Sequence, residues 1–543
     1  MKVLLIQPPV CDFYETPIRN QPIGLCSLKA AVEQFLPGVR VVVRDYRSGY
    51  GRKSIALPEE LEHLRCYYPF PDQSPFSTFY HFYHFGADLR FITEDAAARA
   101  PDIVGISSLF SPYFKEVLQT AAAVKERLNV PVFVGGSHAS ACPEMMLSDP
   151  NIDYLIRGEG ERPLVELLRC LQDGGDLRAV PNLGFKYNGS LVLNPLADNY
   201  PIDELPAPDL SDLNPEHYLY EKKPLGFVVT SRGCPYQCSF CSVHQTFGHV
   251  CRRRNPANVI LEIKKRYLSG VRVFDFEDDN LAGDRGAFKT LCEGLIAEFA
   301  GCGVRFTAMN GILYRHLDRE LLSLMKTAGF QDLNISLVSA DQHIAGSTKR
   351  TLSLNKYVEV AAAAHELGFR VVSYQILGLP GDALEQMIQT LVFNTRLPVL
   401  LGASPFYLVP GSPISTSFPL PTSQDLVRAR LTALGIETEE FTRDDIYTLF
   451  VTTRIVNFLK SFKFDDVSLT LPALLAEKKT DQSRVKLGKQ ILKRLFTKQR
   501  LYGFSRAAFE ELPRFRWSLF EKFWRELPVI CTQQGRIIHS LEP

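Results

Sequence analysis

Short β-rich runs alternate with helical stretches along residues 1–175. The runs are "KVLLIQ" (2–7), "VRVVVRDY" (39–46), "DIVGISS" (102–108), "VPVFVGG" (130–136) and "DYLIRGEG" (153–160). Helical patterns near 23–35, 112–127 and 160–172 separate several of them. Such alternation predicts a parallel sheet covered on both faces, a doubly wound α/β domain. Ligands of these sheets sit at the carboxyl ends of the strands. There the chain places Pro8-Pro9, Ser107-Ser108, Gly135-Gly136 and Gly158-Glu159-Gly160-Glu161.

The connection over residues 47–101 is too long for a simple crossover. It holds "YYPFPDQSPFSTFYHFYHFG" (67–86), crowded with rings. A local aromatic mini-core or a lid over a ligand both fit. Residues 176–224 read as a connector. Asn188-Gly189 lies between two apolar runs, a type I′ hairpin signal. A proline-rich stretch without regular structure follows.

From 225 the alternation resumes with "GFVVTS", "VRVFDFEDD" (271–279), "VRFTAMNG" (304–311), "DLNISLVS" (332–339), "RVVSYQILG" (370–378) and "LGASPFYL" (401–408). Helical patterns such as "NVILEIKKRY" and "RELLSLMKTAGF" intervene. Six β/α units in succession predict a partial (β/α)6 or full TIM-type barrel over 225–415. Residues 416–543 lose the alternation and read as mainly helical. A packed appendage with one cationic face ("KLGKQILKRLFTKQR") is the plain reading; docking to a membrane surface or partner is the other.

Composition changes little. In 543 residues, 61 Lys plus Arg face 60 Asp plus Glu, and nothing announces a nucleic-acid binder. No apolar run reaches the ~18 residues of a spanning helix. The start reads as a strand rather than a signal peptide. A cytoplasmic protein with reduced thiols is expected, so twelve cysteines do not imply a disulfide framework.

One stretch stands apart, "SRGCPYQCSFCSVHQTFGHVCRRR" (231–254). Cys234, Cys238 and Cys241 are spaced Cys-x3-Cys-x2-Cys, which random placement would yield about 0.006 times. The stretch follows a barrel strand, at the face where barrel sites are built. Structural zinc normally takes four ligands in paired arms. Only one compact arm is present, so zinc would have to borrow Cys251 or His244. Iron–sulfur clusters are held by thiolates at close spacings such as these. Three ligands on four irons leave one corner open.

"RGCPYQCSFC" resembles the signature of the radical S-adenosylmethionine enzymes. The resemblance implies a 4Fe-4S cluster on Cys234, Cys238 and Cys241, with S-adenosylmethionine on the open iron and Cys251 a bystander. It also brings Phe240 to the S-adenosylmethionine site. Asp278 and Asp279 in "FEDDN" resemble the element near its amino group, although paired acids at a strand end also cap helices. "NISLVS" resembles the ribose element, which implies contacts from Ser336 and Ser339. Relatives often carry Glu-Ser where this chain has Val338-Ser339. "ILGLPGD" (376–382) resembles the glycine motif beside the adenine, through Gly378 and Gly381, which a tight turn would equally require. "LVPGSPI" resembles the sixth-strand Pro-Gly-Ser-Pro element.

Residues 1–175 resemble the cobalamin-binding domain of a large branch of the same family. "QPIGLCSL", "PDIVGISSLFSPY", "VFVGGSHAS" and "IRGEGERPL" carry the likeness. It implies Rossmann-like, flavodoxin-like topology and cobalamin contacts from Ser107, Ser108, Leu109, Gly135, Gly136, Ser137, His138, Gly158 and Glu159. Cobalamin domains that ligate cobalt use Asp-x-His-x-x-Gly after the second strand. Here Arg47 takes the histidine position, so no lower ligand is expected from that element. His138 is expected to pack or hydrogen-bond rather than ligate.

The expected order is thus a cobalamin-binding domain (1–175), a connector (176–224), a radical barrel (225–415) and a helical region (416–543). The resemblance implies a methyltransferase acting on unactivated carbon, by 5′-deoxyadenosyl radical hydrogen abstraction and methyl transfer from methylcobalamin. A rearrangement, cyclisation or C–C coupling with the same cofactors is the alternative; a non-catalytic cobalamin or redox sensor is the alternative of another class. Expected partners are a small-molecule or peptide substrate and an electron donor of flavodoxin or ferredoxin type, with no nucleic acid and a monomeric chain. The substrate and any catalytic base have no motif.

Overall fold

A computed structural model describes all residues except 15–20, 198–199, 477, 479 and 540–543. The chain forms two compact units, and neither is one continuous length of sequence. The first comprises Met1–Ala56, Phe82–Asn280 and Val409–Ala429; the second comprises Leu57–His81, Leu281–Leu408 and Arg430–Pro543.

In the first unit, Lys2–Gln7 pairs in parallel with Arg40–Asp45 on one side and Ile103–Ser107 on the other. Val132–Gly135 and Tyr154–Ile156 continue the parallel sheet. In chain order the five strands run 2-1-3-4-5, the flavodoxin-like order. The expected hairpin Leu183–Tyr187/Ser190–Leu193 adds two antiparallel strands at the edge. Asn188 and Gly189 have φ of 48° and 78°, as a type I′ turn demands. Ile23–Phe35 and Glu161–Asp173 present Leu25, Cys26, Val32, Leu164 and Leu168 to Val3, Leu5, Val41 and Phe133. Burial of these side chains on a two-sided sheet drives the fold.

Beyond that hairpin, the connector carries short 3-10 turns at Leu177–Ala179, Ile202–Glu204 and Pro215–His217 and a two-residue strand, Leu219–Tyr220. It is pinned by charge: buried Lys29 meets Asp212 at 2.7 Å and Asp209 at 3.3 Å. The first unit also contains the first two strands of the second alternation, Lys223–Val228 and Val273–Phe276, paired in parallel.

The second unit carries the later strands. Asp332–Val338, Arg370–Leu377 and Leu400–Pro405 form a parallel sheet in sequence order, with Leu354–Glu366 and Leu384–Thr395 as intervening helices. The preceding helix, Arg319–Ala328, shows why such segments stop and start where they do. The Asp318 side chain accepts from Leu321 N–H at its start, and Gly329 (φ 115°) ends it.

The C-terminal region is mainly helical, through Arg443–Lys460, Ser483–Lys498 and Trp517–Arg525, and it adds a Tyr502–Ser505/Ala508–Glu511 hairpin. Strands Ser468–Thr470, Ile530–Cys531 and Ile537–His539 form a further small sheet. One expectation needs correction: the aromatic insert does not make a core of its own. Its 57–81 part packs on the Arg443–Lys460 helix: Tyr67 lies 5.4 Å from Tyr447 and Phe76 5.3 Å from Phe458, centroid to centroid. Residues Phe82–Phe85 instead form a strand of the first unit, between Val10–Asp12 and Arg52–Ile55. Among the described residues no helix is long and apolar enough to cross a membrane.

Candidate functional site

The cysteine stretch leaves its strand through a two-residue β-bridge, Ser231–Arg232 against Arg252–Arg253. Residues 233–251 therefore form a loop with a closed neck. Gly233 (φ 84°) starts it, and a Cβ there would lie 2.4 Å from the Val250 carbonyl oxygen, so only glycine fits. Cys234, Cys238 and Cys241 are all partly buried. Burial pushes the Cys234 thiol up to about 11, and the neighbouring Cys241 and Cys238 sulfurs add to the rise. Cys251 lies at the neck, where burial raises its thiol pKa. Among the described residues no three His, Cys, Asp or Glu side chains converge as a single metal ion would require.

The strand Val273–Phe276 delivers two acids with different tasks. Asp278 is buried, and accepts from Thr230 N–H (3.1 Å), Thr230 Oγ1 (2.5 Å) and Ser231 Oγ (2.5 Å). It ties the ends of two strands together. Asp279 accepts from the Gly233 N–H (2.9 Å), and burial raises its carboxyl to about 6. Of the pair, Asp279 is the acid still open to a ligand.

The returning segment 409–429 roofs the loop. Ile414 N–H donates to the Ser239 carbonyl (2.8 Å), and Gln245 Nε2 donates to the Gly411 carbonyl (2.9 Å). This is the "LVPGSPI" element noted in the sequence.

Three strand ends of the flavodoxin-like sheet meet on the other side. Ser108 N–H donates to the Gly135 carbonyl (2.7 Å), and His138 N–H to the Ser108 carbonyl (3.1 Å). Gly136 (φ 117°) is obligatory, since a Cβ would stand 2.6 Å from the Ser108 carbonyl oxygen. Gly158 N–H donates to Ser140 Oγ (2.8 Å). Ser107, Ser108, Leu109, Gly135, Gly136, Ser137, His138, Gly158 and Glu159 thus come from three loops of one sheet edge. Ser137 Oγ accepts from Thr246 Oγ1 (3.2 Å), which joins this edge to the helix Val243–Phe247 after the cysteines.

Within this edge, His138 is 1% exposed; Nδ1 meets Ser111 Oγ at 3.0 Å, while Nε2 has no hydrogen-bond partner. Burial depresses its pKa to about 4, so the ring is neutral. The Ser108 hydroxyl is likewise buried without a partner. Leu109 and Phe110 beside them are exposed. Arg47 is buried.

Ser336, Ser339, Gly378 and Gly381 belong to the second unit. Arg350 Nη2 donates to the Ser336 hydroxyl (2.9 Å) and carbonyl (2.8 Å). The strand bulges just beyond, and Val338 sits at φ 74°, a strained conformation for a β-branched residue. Ser339 Oγ lies 3.3 Å from Thr390 Oγ1 and accepts from Asp341 N–H (3.2 Å). Gly378 and Gly381 both have positive φ, 80° and 81°. Gly378 is also approached closely, with Ile446 Cδ1 2.8 Å from where a Cβ would be; Gly381 has open space. Asp382, next in the motif, is 1% exposed, and burial raises its carboxyl to about 8.

Residues 228–393 match the radical SAM superfamily, and residues 83–168 match the B12 binding domain. The chain thus carries both a radical SAM and a B12-binding domain. It is 28% identical over 306 residues to an uncharacterized methyltransferase of Pyrococcus horikoshii, covering 55% of this chain and 65% of that protein. It is 26% identical over 430 residues to the cytidylyl-2-hydroxyethylphosphonate methyltransferase of Streptomyces wedmorensis, covering 71% and 75%. The radical SAM methyltransferase TsrM of Kitasatospora setae, solved with cobalamin and a [4Fe-4S] cluster, shares the fold. Its TM-score is 0.60 at 19% identity, over 77% of each chain.

The two domains imply a 4Fe-4S cluster, S-adenosylmethionine and cobalamin. The residues present fit them. Three partly buried thiols on one closed loop fit a cluster. The buried orphan atoms Ser108 Oγ and His138 Nε2, beside exposed Leu109 and Phe110, suit a ligand with polar edges and a broad apolar face.

Sequence reasoning missed Arg232, Arg252 and Tyr200, and gave Glu161, noted at its strand end, no partner. Arg232 Nη1 meets Glu159 Oε1 at 2.8 Å, and Nη2 meets Glu161 Oε1 at 2.6 Å. Arg252 Nη1 lies 2.8 Å from Glu159 Oε2, and Tyr200 OH donates to Glu161 (2.9 Å). Glu159 therefore faces two protein arginines, hydrogen-bonded to Arg232 through Oε1 and ion-paired with Arg252 through Oε2, which has no hydrogen-bond partner. The only signal was the position of arginines on both flanks of the cysteines.

Proposed function

We propose that this chain is a cobalamin-dependent radical SAM methyltransferase acting on an unactivated carbon. The observation that carries the reading is the closed cysteine loop joined, through Thr246 and Arg232, to the glycine-rich edge of the flavodoxin-like sheet. When bound, the cluster with S-adenosylmethionine supplies one-electron chemistry, and cobalamin supplies a methyl group.

The protein's part is placement. Cys234, Cys238 and Cys241 would hold the cluster, and the 409–429 segment limits the motion of their loop. Asp279 would receive the ammonium group of S-adenosylmethionine. Bringing that cation beside a carboxyl already raised to about 6 favours the ionised form. Ser336, Ser339, Gly378 and Gly381 are assigned to its ribose and adenine by the same reading. Gly135, Gly136 and Gly158 let a large ligand lie against backbone, while His138 and Ser108 would fill their open hydrogen bonds on it. In this reading residues 1–175 form the cobalamin domain and 225–415 the radical barrel, with a reduced flavodoxin or ferredoxin as electron source. No residue is assigned as a base.

The test is anaerobic reconstitution with iron, sulfide, reductant, hydroxocobalamin and methyl-labelled S-adenosylmethionine. Both 5′-deoxyadenosine and S-adenosylhomocysteine are expected, and Cys234→Ala should abolish the deoxyadenosine and lose the iron chromophore. Deoxyadenosine with no label ever leaving S-adenosylmethionine as methyl would refute methyl transfer.

A further inference from the structure

The neck of the cysteine loop contains an electrostatic conflict. Arg232 and Arg252 are directly opposed across the β-bridge. Like charges so placed repel, and here both side chains are largely buried, at 15% and 12% exposure. One carboxylate offsets the conflict. Glu159 Oε1 accepts from Arg232 Nη1 at 2.8 Å, while Oε2 faces Arg252 Nη1 at 2.8 Å as an ion pair outside hydrogen-bond geometry; its own side chain is 3% exposed. Glu161 supplies the second negative charge on Arg232.

Glu159 does not belong to the cysteine stretch. It lies on the strand-end loop Gly158–Gly160, whose Gly158 N–H is bonded to Ser140. Ser140 is in the short helix Ser137–Ala141, which also carries His138. The same loop touches the far side of the cysteine stretch, since a Cβ on Gly158 would stand 3.4 Å from the Thr246 carbonyl. A shift of the Gly158–Glu159 loop therefore moves the counter-ion on which the neck depends.

Building on the proposed function, we propose that Glu159 is a positioning residue that links occupancy of the glycine-rich sheet edge to closure of the cysteine loop. A ligand that orders the Gly136–His138 and Gly158–Glu159 loops holds the neck shut, and a shut neck retains the metal cluster. Linkage of this kind is reciprocal, so a loaded cysteine loop tightens binding at the sheet edge by the same factor.

The experiment measures iron release from the reconstituted full chain to a ferrous chelator, with and without hydroxocobalamin. Wild type is expected to lose iron about tenfold more slowly with hydroxocobalamin. Glu159→Gln keeps the shape and removes the charge; its iron should leave quickly, at one rate in both conditions. Glu159→Gln combined with Arg252→Gln restores charge balance through Arg232 and Glu161, and should recover slow release. That rescue separates linkage from simple misfolding. Equal protection by hydroxocobalamin in wild type and Glu159→Gln overturns the inference, as does a double variant no better than the single one. A wild-type chain that binds hydroxocobalamin and iron yet shows no protection overturns the inference alone. A chain that binds neither overturns the proposed function as well.

Discussion

The cysteine-loop region and the C-terminal part of the second unit are held together by different forces. Around the loop the contacts are directional and charged: Arg232–Glu159–Arg252, Asp278 on Thr230 and Ser231, and single backbone bonds to Ser239 and Gly411. In the C-terminal part the contacts are ring on ring. Phe496 lies 4.9 Å from Trp524, Phe520 5.4 Å from Trp524, and Phe515 5.6 Å from Phe520. Directional bonds fix orientation but contribute little net free energy each, whereas buried rings contribute much and orient loosely. The division suits a region that must place ligands, and another that only has to stay folded.

The comparison breaks most visibly at Phe520, which is fully buried. Phe520→Ala should cost about 3–5 kcal/mol, read as a lower denaturant midpoint, with iron per folded chain unchanged. Gly136→Ala should act on ligand binding instead. Its Cβ would collide with the Ser108 carbonyl in a left-handed conformation, so the strain is about 1–3 kcal/mol. Cobalamin affinity, measured by dialysis, should fall at least about tenfold, and protection of the iron by hydroxocobalamin should weaken with it.

A pH dependence sharpens the picture of the second unit. The Asp382 carboxyl is raised from 3.8 to about 8 by burial first, and then by Asp341. The folded state therefore holds its proton where the unfolded chain has released it. That contribution is full below 3.8 and is lost as pH rises through about 8. Asp382→Asn removes this dependence, so its melting temperature should decline less steeply than wild type across that window. Parallel curves would show that Asp382 ionises freely.

What was legible in the sequence was local. Three cysteines within eight positions, and Asn188-Gly189 between apolar runs, carry their meaning in adjacent letters. The second hairpin was invisible because Arg506 and Ala507 occupy its positive-φ positions, at 48° and 61°, with neither glycine nor asparagine to mark them. The aromatic insert could not reveal its partner, because Tyr447 and Phe458 lie nearly four hundred residues further along. Gly378 was read from its motif, yet part of its reason is Ile446 pressing on it from another element. The neck clamp was hidden for the same cause: Glu159 and Arg232 are 73 positions apart, and nothing near either names the other.

The Ile414–Ser239 and Gln245–Gly411 bonds also set an order on synthesis. As the polypeptide grows from its amino end, the thiols leave the ribosome some 170 positions before the strap that covers them. During that interval the nascent thiols stand uncovered, so a metal donor acting while translation is under way meets an unroofed receptor, and one acting afterwards meets a finished one.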